Sequence, residues 1–384
     1  MHDGKYYFCR DLQSHLNPSR FMKRTVFYDM HQKAGGKMVP FTGFEMPVEF
    51  TGVKDEHIQV RKKVGVFDVS HMGEIWLRGE RAKETVQYLT TNDVRKLVPG
   101  KVQYTCMPNG SGGIVDDLLV YMFSNEEFLM VVNAANIVKD WNWISQNNKF
   151  GALLENASEE ISQLAVQGPE STEVLQKITH IDLQEIPFYH FTIGDFAGKE
   201  NVILSNTGYT GAGGFELYFK NDDGPDILEA IMQAGEEWNI RPIGLAARDT
   251  LRLEMGMCLY GNDIDDSTSP VEAGLGWITK IIEGNDFIDK EKLADQKNQG
   301  VKRKLVGFLM KERAIPRKGY IIYSKEGKEI GNVTSGTMSP MLNQGIGMGY
   351  VKKEYSSKET DILVGIRNKK IPAQVVKPPF YKSS

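Results

Sequence analysis

The 384-residue sequence is poor in the residue types that build several common kinds of functional site. It has three cysteines, Cys9, Cys106 and Cys258, which are widely spaced and form no CxxC pair. A disulfide framework or a cysteine zinc site needs closely spaced or paired cysteines, so neither is supported. The seven histidines are also scattered and contain no HExxH pair. These absences argue against a metal enzyme.

Long apolar segments and an excess of positive charge are missing too. No run of about 18 apolar residues occurs, so no transmembrane helix and no membrane partner are expected. The net charge is -4, which leaves no surplus of cations for nucleic-acid phosphates, so nucleic acid is not expected as a partner. Neither GxGxxG nor GxxxxGK is present, so an NAD, flavin or P-loop site finds no support.

The first 21 residues do not have the apolar core of a signal peptide, and Asp3 and Asp11 disfavour a transit peptide. Met22 begins a segment that looks like a natural start. Residues 1–21 are therefore interpreted as a loosely ordered N-terminal extension, with an upstream start codon as one explanation. A reducing cytoplasm is the default compartment.

The most informative stretch is residues 104–121, which read as two apolar strands joined by a glycine-rich turn at residues 109–113. The second strand carries Asp116 and Asp117 in its middle, and alternation must send them to opposite faces. At least one carboxylate should therefore face an apolar interior, where burial raises its pKa. It is then either a proton acceptor or ligand anchor, or a structural aspartate bonded to backbone amides; the strand alone leaves both open.

The rest of the chain predicts an α+β protein with antiparallel sheets. Strands and helices alternate through residues 65–145, a second such block runs from about residue 159 to 255, and a polar helix at 284–300 looks like a linker. From residue 304 onward, short strands at regular spacing indicate a small β-barrel or sandwich.

Three other polar groups stand out among apolar neighbours. His71 could act as a base, although a histidine in such a loop is more often a hydrogen-bonding partner within the fold. Glu216 lies in an apolar strand after a cluster of four glycines, which suggests close approach of the backbone to something. Arg248 and Arg252 are one helical turn apart, and from the residues alone a solvated or internally paired face is favoured over an anion site.

Several segments, in order along the chain, resemble the T-protein family of the glycine cleavage system, the tetrahydrofolate-dependent aminomethyltransferases. The match extends from Met22 to Lys382. The stretches that carry it are GVFDVSHMGE (65–74), NGSGGIVDDLLVY (109–121), LMVVNAANIVKD (129–140), AVQGPES (165–171), NTGYTGAGGFEL (206–217), GLAARDTLRLEMGMCLYGNDID (244–265), VTSGTMSP (333–340) and VVKPPFY (375–381).

The resemblance implies a three-domain clover-leaf fold around a central folate channel. The first, discontinuous domain would take residues 22–72 and 159–246. The second would take 73–158 and 247–298, and a C-terminal β-barrel 299–384. The compartment would be the bacterial cytoplasm, or the mitochondrial matrix in a eukaryote.

The resemblance also implies a reaction and its participants. A methylene group leaves the aminomethylated lipoyl arm of H protein, the partner, and joins tetrahydrofolate, the acceptor substrate. The products are 5,10-methylenetetrahydrofolate, ammonia and dihydrolipoyl H protein. Neither metal, flavin nor NAD is implied.

The family's site residues carry over by position. Asp117 matches the essential carboxylate, and Glu216 matches the residue that holds the pterin. The remaining folate contacts are matched by Tyr104, Asn133, Tyr209 and Arg248, with Met72 against the pterin. For Arg248, the resemblance now favours the ligand interpretation.

One position departs from the family, which usually has Glu after GYTG where Ala212 stands here. Three alternatives differ from this family in their sequence features or in the role they give to Asp117. Flavin-fused sarcosine and dimethylglycine oxidising enzymes would need a dinucleotide fingerprint. Iron–sulfur assembly relatives carry KGCYxGQE, which residues 257–263 do not match. A non-catalytic folate-binding module would leave Asp117 without a catalytic role.

A cluster of basic residues near the start of the matched region suggests a docking surface. We expect these residues to help bind an acidic H protein: Lys23, Arg24, Lys33 and Lys37.

Overall fold

The computed structural model describes residues 22–382. The predicted N-terminal extension, residues 1–21, lies outside this range. Within it, no helix is both long enough and apolar enough to cross a membrane.

Helices and strands alternate along the described chain. The α-helices are α1 (Tyr28–Lys33), α2 (Val53–Lys62), α3 (Ala82–Leu89), α4 (Ile137–Asn147), α5 (Ser171–Gln176), α6 (Gly224–Ala234), α7 (Leu245–Glu254) and α8 (Lys290–Gln299). The strands are β1 (Lys37–Phe41), β2 (Phe44–Glu49), β3 (Gly65–Asp68), β4 (Gly73–Arg78), β5 (Lys101–Pro108), β6 (Ile114–Ser124), β7 (Glu127–Val132), β8 (Leu153–Asn156), β9 (Ile161–Gln167), β10 (Phe191–Phe196), β11 (Lys199–Ser205), β12 (Gly214–Lys220), β13 (Arg241–Pro242), β14 (Arg303–Met310), β15 (Ile321–Ser324), β16 (Glu329–Ser339), β17 (Gln344–Lys352), β18 (Asp361–Ile366) and β19 (Lys369–Val376).

The first sheet has six strands in the order β10-β11-β12-β9-β3-β13. Its pairs are antiparallel except for the short parallel pair of β13 with β3. Alternation along β9 directs Leu164 and Val166 towards α5 and α6, and Ala165 towards α2 and α7. Helices α5 and α6 therefore pack on one face of the sheet, and α2 and α7 cover part of the other, inner face.

The second sheet has five antiparallel strands in the order β5-β6-β7-β4-β8. One face packs on α3 and α4, as the strand and helix pattern predicted. The opposite face meets the inner face of the first sheet, where Tyr121 and Val131 pack against Ile203 and Tyr218. This inter-sheet layer sets the distance between the strands that carry the candidate site residues.

The C-terminal strands close into a six-stranded barrel in the order β14-β17-β16-β15-β18-β19. Strand β14 pairs with both β17 and β19, which completes the closure. The barrel contacts the other two parts through a buried apolar cluster that includes Cys106 of β5, Leu253 of α7 and Met348 of β17. Strand β5, helix α7 and the barrel therefore meet at one place.

The structure also has a two-stranded antiparallel sheet of β1 and β2. All four sheets lie within the residue ranges predicted for the three domains: β1–β3 and β9–β13 in the first, β4–β8 in the second and β14–β19 in the third. The domain boundaries themselves stay a prediction. The segment predicted to be a helical domain linker contains α8, which packs against the rest of the molecule. Its Leu293 is buried, and the Asp289 carboxylate before it accepts the N–H of Gly112 in the β5–β6 turn at 2.8 Å.

Candidate active site

Strand β6 directs its two consecutive aspartates to opposite faces, as the alternation predicted. Asp116 is fully buried on the side of α4, where it accepts a hydrogen bond from Asn136 Nδ2 at 2.7 Å. Asp117 is half-buried and lies beside Tyr104 of the neighbouring strand β5. Both carboxylates are therefore shielded from bulk water, but only Asp117 keeps an accessible surface.

Two side chains hold the Asp117 carboxylate. The Tyr104 hydroxyl donates to Oδ2 at 2.8 Å, and the amide of Asn133 donates to Oδ1 at 3.0 Å. Burial and the charge of Asp116 raise the pKa of Asp117 to about 7, against the opposing effect of the Tyr104 and Asn133 donors. At neutral pH, Asp117 therefore exists as a mixture of a proton acceptor and a proton donor.

Glu216 occupies the inner face of the first sheet, on β12 opposite Ala165. It is 5% exposed, and its Oε2 accepts a hydrogen bond from the Thr207 hydroxyl at 2.5 Å. Burial raises the pKa of Glu216, while the Thr207 bond and the charge of Arg248 oppose that rise. The carboxylate is thus fixed by one donor and has capacity to accept others.

Helix α7 supplies two arginines with different surroundings. The Arg252 guanidinium is bound by Asp249 and Asp263, so the internal pairing expected from the residues holds for it. Arg248 instead lies 4.8 Å from the ring centroid of Tyr209, and its Nη1 is buried without a hydrogen-bond partner. Burial lowers the pKa of Arg248, and the charge of Glu216 counteracts this. Arg248 is therefore a cation with an unused donor.

The seven predicted site residues lie around a common region. Burial raises the pKa of Tyr189 to about 12, and the charges of Glu216 and Asp117 both add to that rise. Tyr189 is therefore close to both carboxylates. Burial also raises the pKa of Tyr209; the charge of Asp117 adds to this rise and the charge of Arg248 opposes it. Met72 packs against the cluster beneath α7 and against the layer between the sheets. All of the seven except Glu216 are half-buried, namely Met72, Tyr104, Asp117, Asn133, Tyr209 and Arg248.

His71 sits at the edge of this region. It is 3% exposed, its ring meets Phe41 edge-on at 5.3 Å, and its Nδ1 has no hydrogen-bond partner. Burial lowers its pKa to about 4, with a further contribution from the charge of Arg248. The imidazole is therefore neutral near pH 7.

Sequence reasoning missed several neighbours of the site. Tyr189 follows an irregular segment and has a left-handed backbone with φ of 61°. Trp277 is 61% exposed, with its ring 6.1 Å from that of Tyr104. Neither belongs to a periodic pattern, so only the folded chain brings them to the site. The two buried thiols, Cys106 and Cys258, also lie beside Tyr104 and Asp117.

The glycine cluster before Glu216 approaches the chain itself. A Cβ at Gly208 would lie 2.0 Å from Oε1 of Gln167, and Gly211 has φ of 65° against Met255. The departing position, Ala212, is half-buried and packs beneath α7. Across residues 22–382, no group of three or more His, Cys, Asp or Glu side chains is placed to hold a metal ion.

Comparison with known proteins gives the family. Residues 27–282 match the model described as the GCVT N-terminal domain, and residues 303–382 match the glycine cleavage T-protein C-terminal barrel domain. The chain is 60% identical over 361 residues to an aminomethyltransferase of Bacteroides thetaiotaomicron, covering 94% of this chain and 100% of that protein. It is 47% identical over 359 residues to an aminomethyltransferase of Halothermothrix orenii, with the same coverage.

A solved structure agrees with these matches. The crystal structure of the glycine cleavage system aminomethyltransferase T from Bartonella henselae has a TM-score of 0.87 at 31% identity, covering 94% of this chain and 98% of that one. The α+β clover-leaf fold with a C-terminal barrel, expected from the resemblance, is therefore confirmed. The chain belongs to the aminomethyltransferase family, the T proteins of the glycine cleavage system.

Proposed function

We propose that this aminomethyltransferase moves the methylene of the aminomethyl group on the lipoyl arm of H protein to tetrahydrofolate, with Asp117 as the proton acceptor. The observation that carries the proposal is the half-buried Asp117 carboxylate, held by Tyr104 and Asn133 with a pKa of about 7. A base whose pKa lies near the working pH is well suited to proton transfer. The family membership of the chain supplies the reaction class.

The chemistry requires two protons to move. As the carbon joins two folate nitrogens, each nitrogen loses one proton, while the carbon breaks its bonds to the amino nitrogen and to the lipoyl sulfur. One proton completes the leaving ammonia and the other completes the thiol, so the reaction needs no oxidant or reductant. Asp117 can accept a proton from folate nitrogen and return it to a leaving group, and its charge favours the iminium-like carbon.

Glu216 and Arg248 are proposed to hold the folate. A carboxylate with free acceptor capacity suits the paired N–H donors of the pterin ring. The Nη1 of Arg248 has no hydrogen-bond partner in the described chain and can donate to a folate oxygen. The negative charge of Glu216 stabilises the charged form of the guanidinium. Met72 and Tyr209 would provide apolar and aromatic walls. Tyr104 and Asn133 orient Asp117 and also lie within reach of the same ligand.

The lipoylated H protein is the proposed partner, and tetrahydrofolate is the proposed acceptor substrate. The relatives reported above are bacterial, which supports the bacterial cytoplasm as the compartment. The basic residues expected to dock H protein lie near the start of the described chain. Three of them bind carboxylates of this chain, since Lys23 pairs with Glu159, Arg24 with Glu45 and Lys37 with Glu49. These carboxylates partly neutralise the positive charge that the three residues would offer to H protein.

A reconstituted assay with lipoylated H protein, with and without tetrahydrofolate, tests the proposal. Asp117→Asn is expected to lower turnover about 10²–10⁴-fold, because the amide cannot accept the proton, while tetrahydrofolate binding by calorimetry is largely kept. Glu216→Ala should show the converse pattern, with weaker folate binding as its main effect. Full turnover by Asp117→Asn would refute the role of Asp117. Folate-independent turnover by the unaltered enzyme would refute the acceptor.

A further inference from the structure

A further buried carboxyl group, that of Asp140, lies next to strand β6, which carries Asp116 and Asp117. Asp140 of α4 and Asp116 of β6 are both fully buried, and each carboxyl group lies close enough to shift the pKa of the other. Neither oxygen of Asp140 receives an N–H or O–H donor from any residue between 22 and 382. Two ionised carboxylates in such a place would repel each other in a low-dielectric environment, so one of the two must carry a proton.

The hydrogen bonds decide which carboxyl is protonated. Asp116 accepts three N–H donors, from the backbone of Asn133 at 2.9 Å, from its side chain at 2.8 Å and from Asn136 at 2.7 Å. These donors stabilise the ionised form of Asp116. Burial raises the pKa of Asp140 to about 11, and the charge of Asp116 adds to that rise. A proton on Asp140 therefore points at Asp116 and converts a repulsion into a hydrogen bond.

One amide transmits this arrangement to the active site. Asn133 Nδ2 lies 2.8 Å from Oδ1 of Asp116, 3.0 Å from Oδ1 of Asp117 and 3.0 Å from the Asp117 carbonyl oxygen. The position of Asn133, and with it one of the two donors to Asp117, thus depends on Asp116. Asp140 therefore influences the position of the Asp117 carboxylate through Asp116 and Asn133.

The other titratable groups around the pair come from three elements. Lys139 of α4 lowers the pKa of Asp140, but its ammonium bonds the hydroxyl of Tyr260 at 2.6 Å. Burial raises the pKa of Tyr260 and of Cys106, and the charge of Asp116 adds to both rises. Both stay neutral near pH 7, so Lys139 is the one neighbouring cation in the described chain that offsets the charge of the pair.

We propose that Asp116 and Asp140 share a single proton, and that this singly charged pair positions Asn133 and keeps Asp117 ready to accept a proton near neutral pH. Asp140 is then a positioning residue of the transfer reaction. This inference rests on the proposed role of Asp117. The order of ionisation follows from the surroundings: Asp116 ionises first, its charge raises the pKa of Asp117, and Asp140 stays protonated.

Three variants test the pair through the pH dependence of kcat/KM. Asp116→Asn removes the negative charge beneath Asp117, so the acidic limb should move about one unit to lower pH. Asp140→Asn keeps a neutral hydrogen-bond donor towards Asp116. The acidic limb of this variant should therefore lie at the same pH as that of the unaltered enzyme. Asp266→Asn, which removes an exposed carboxylate close to Lys139, is the matched control and should not shift the limb.

The inference fails if Asp116→Asn leaves the limb in place, or if Asp140→Asn shifts it as far as Asp116→Asn does. The double variant with asparagine at both positions, which has no titratable group in the pair, should reproduce the shift of Asp116→Asn.

Infrared spectroscopy provides a readout independent of turnover and of the Asp116 variants. A difference spectrum between the unaltered protein and Asp140→Asn at pH 7 should contain the C=O stretch of a protonated carboxylic acid. Its absence would overturn the shared proton. These outcomes are distinct from failure of the proposed function, which would appear as full turnover in Asp117→Asn whatever the spectrum of the pair.

Discussion

A carboxyl group in water is too strong an acid to serve as a base and an acid in turn near pH 7, and Asp117 departs from that state through an imbalance among its neighbours. Burial and the charge of Asp116 disfavour its ionised form, whereas Tyr104 and Asn133 favour it. The resulting pKa of about 7 is the sum of large opposing contributions, so removing any one neighbour should displace it in a direction fixed by the sign of that contribution.

Tyr104→Phe should move the acidic limb of the pH profile to higher pH. The Tyr104 hydroxyl donates to the ionised form of Asp117, so its loss raises the pKa of Asp117 above about 7. The expected displacement is about one pH unit, because a hydrogen bond to a charged group is worth about 1.5–3 kcal/mol at most. The measurement is kcat/KM across pH 5 to 9, in the same assay as above.

Tyr88→Phe is the control for this prediction, because Tyr88 lies on α3 and its ring packs against Phe150 on the outer side of the second sheet. It should leave the profile unchanged. A limb that moves to lower pH in Tyr104→Phe would contradict the assigned direction of the hydrogen bond.

Residue-scale features differ in how far the sequence could predict them. The opposite faces of Asp116 and Asp117 follow from strand alternation, and Glu216 was visible as a carboxylate among apolar neighbours. Asp140 gave no signal, because one acidic residue on an amphipathic helix looks the same whether it faces water or a second carboxyl. The unpartnered donor of Arg248 could not be told from the paired Arg252, since both are one turn apart on the same helix.

At the scale of elements, α7 is the piece that joins all three parts of the molecule. Arg248 lies against the Tyr209 ring in the candidate site, Arg252 bonds Asp263 and the Ser335 hydroxyl of the barrel, and Glu254 ends the helix. Glu254 accepts from His57 and Arg61 of α2, and also from Ser339 and the Met341 N–H after β16. The helix was predicted from its spacing. Its partners could not be, because they lie far away along the chain.

Glu254→Gln should destabilise the protein by about 3–5 kcal/mol, since it leaves the buried Arg61 without a carboxylate partner. Chemical denaturation followed by tryptophan fluorescence measures the loss. Glu329→Gln is the matched control: Glu329 is exposed on β16 of the barrel, and its replacement should stay within about 0.5 kcal/mol of the unaltered protein. Equal stabilities of the two variants would show that Glu254 does not bind the parts together.

At the scale of the whole molecule, the first and second sheets meet in the layer that contains Tyr121 and Tyr218, and the barrel joins them at the cluster that contains Cys106 and Leu253. Family membership gave this architecture from the sequence, while the sheet order and the closed barrel came from the structure. The strand pattern alone left a barrel and a sandwich equally open, since closure depends on the pairing of β14 with β19.

Docking of H protein through Lys23, Arg24, Lys33 and Lys37 should depend on salt. Raising the ionic strength from low to about 0.5 M is expected to increase the KM for H protein several-fold and to leave kcat unchanged, because surface attraction is screened over a Debye length. Lys33→Glu should raise that KM in low salt. Lys369→Glu, on the exposed barrel hairpin, should not. A KM indifferent to both salt and Lys33→Glu would exclude this docking surface.

Helix α7 also links the stability of the molecule to the position of a candidate site residue. Arg248 and Glu254 are six positions apart on the same helix. The Glu254 carboxylate, which binds the barrel, and the Arg248 guanidinium in the candidate site therefore cannot shift independently. Any loosening of the anchor is transmitted to the guanidinium as a change in tilt. A substitution that loosens the contacts of Glu254 is therefore expected to lower activity together with stability, although it lies outside the candidate site.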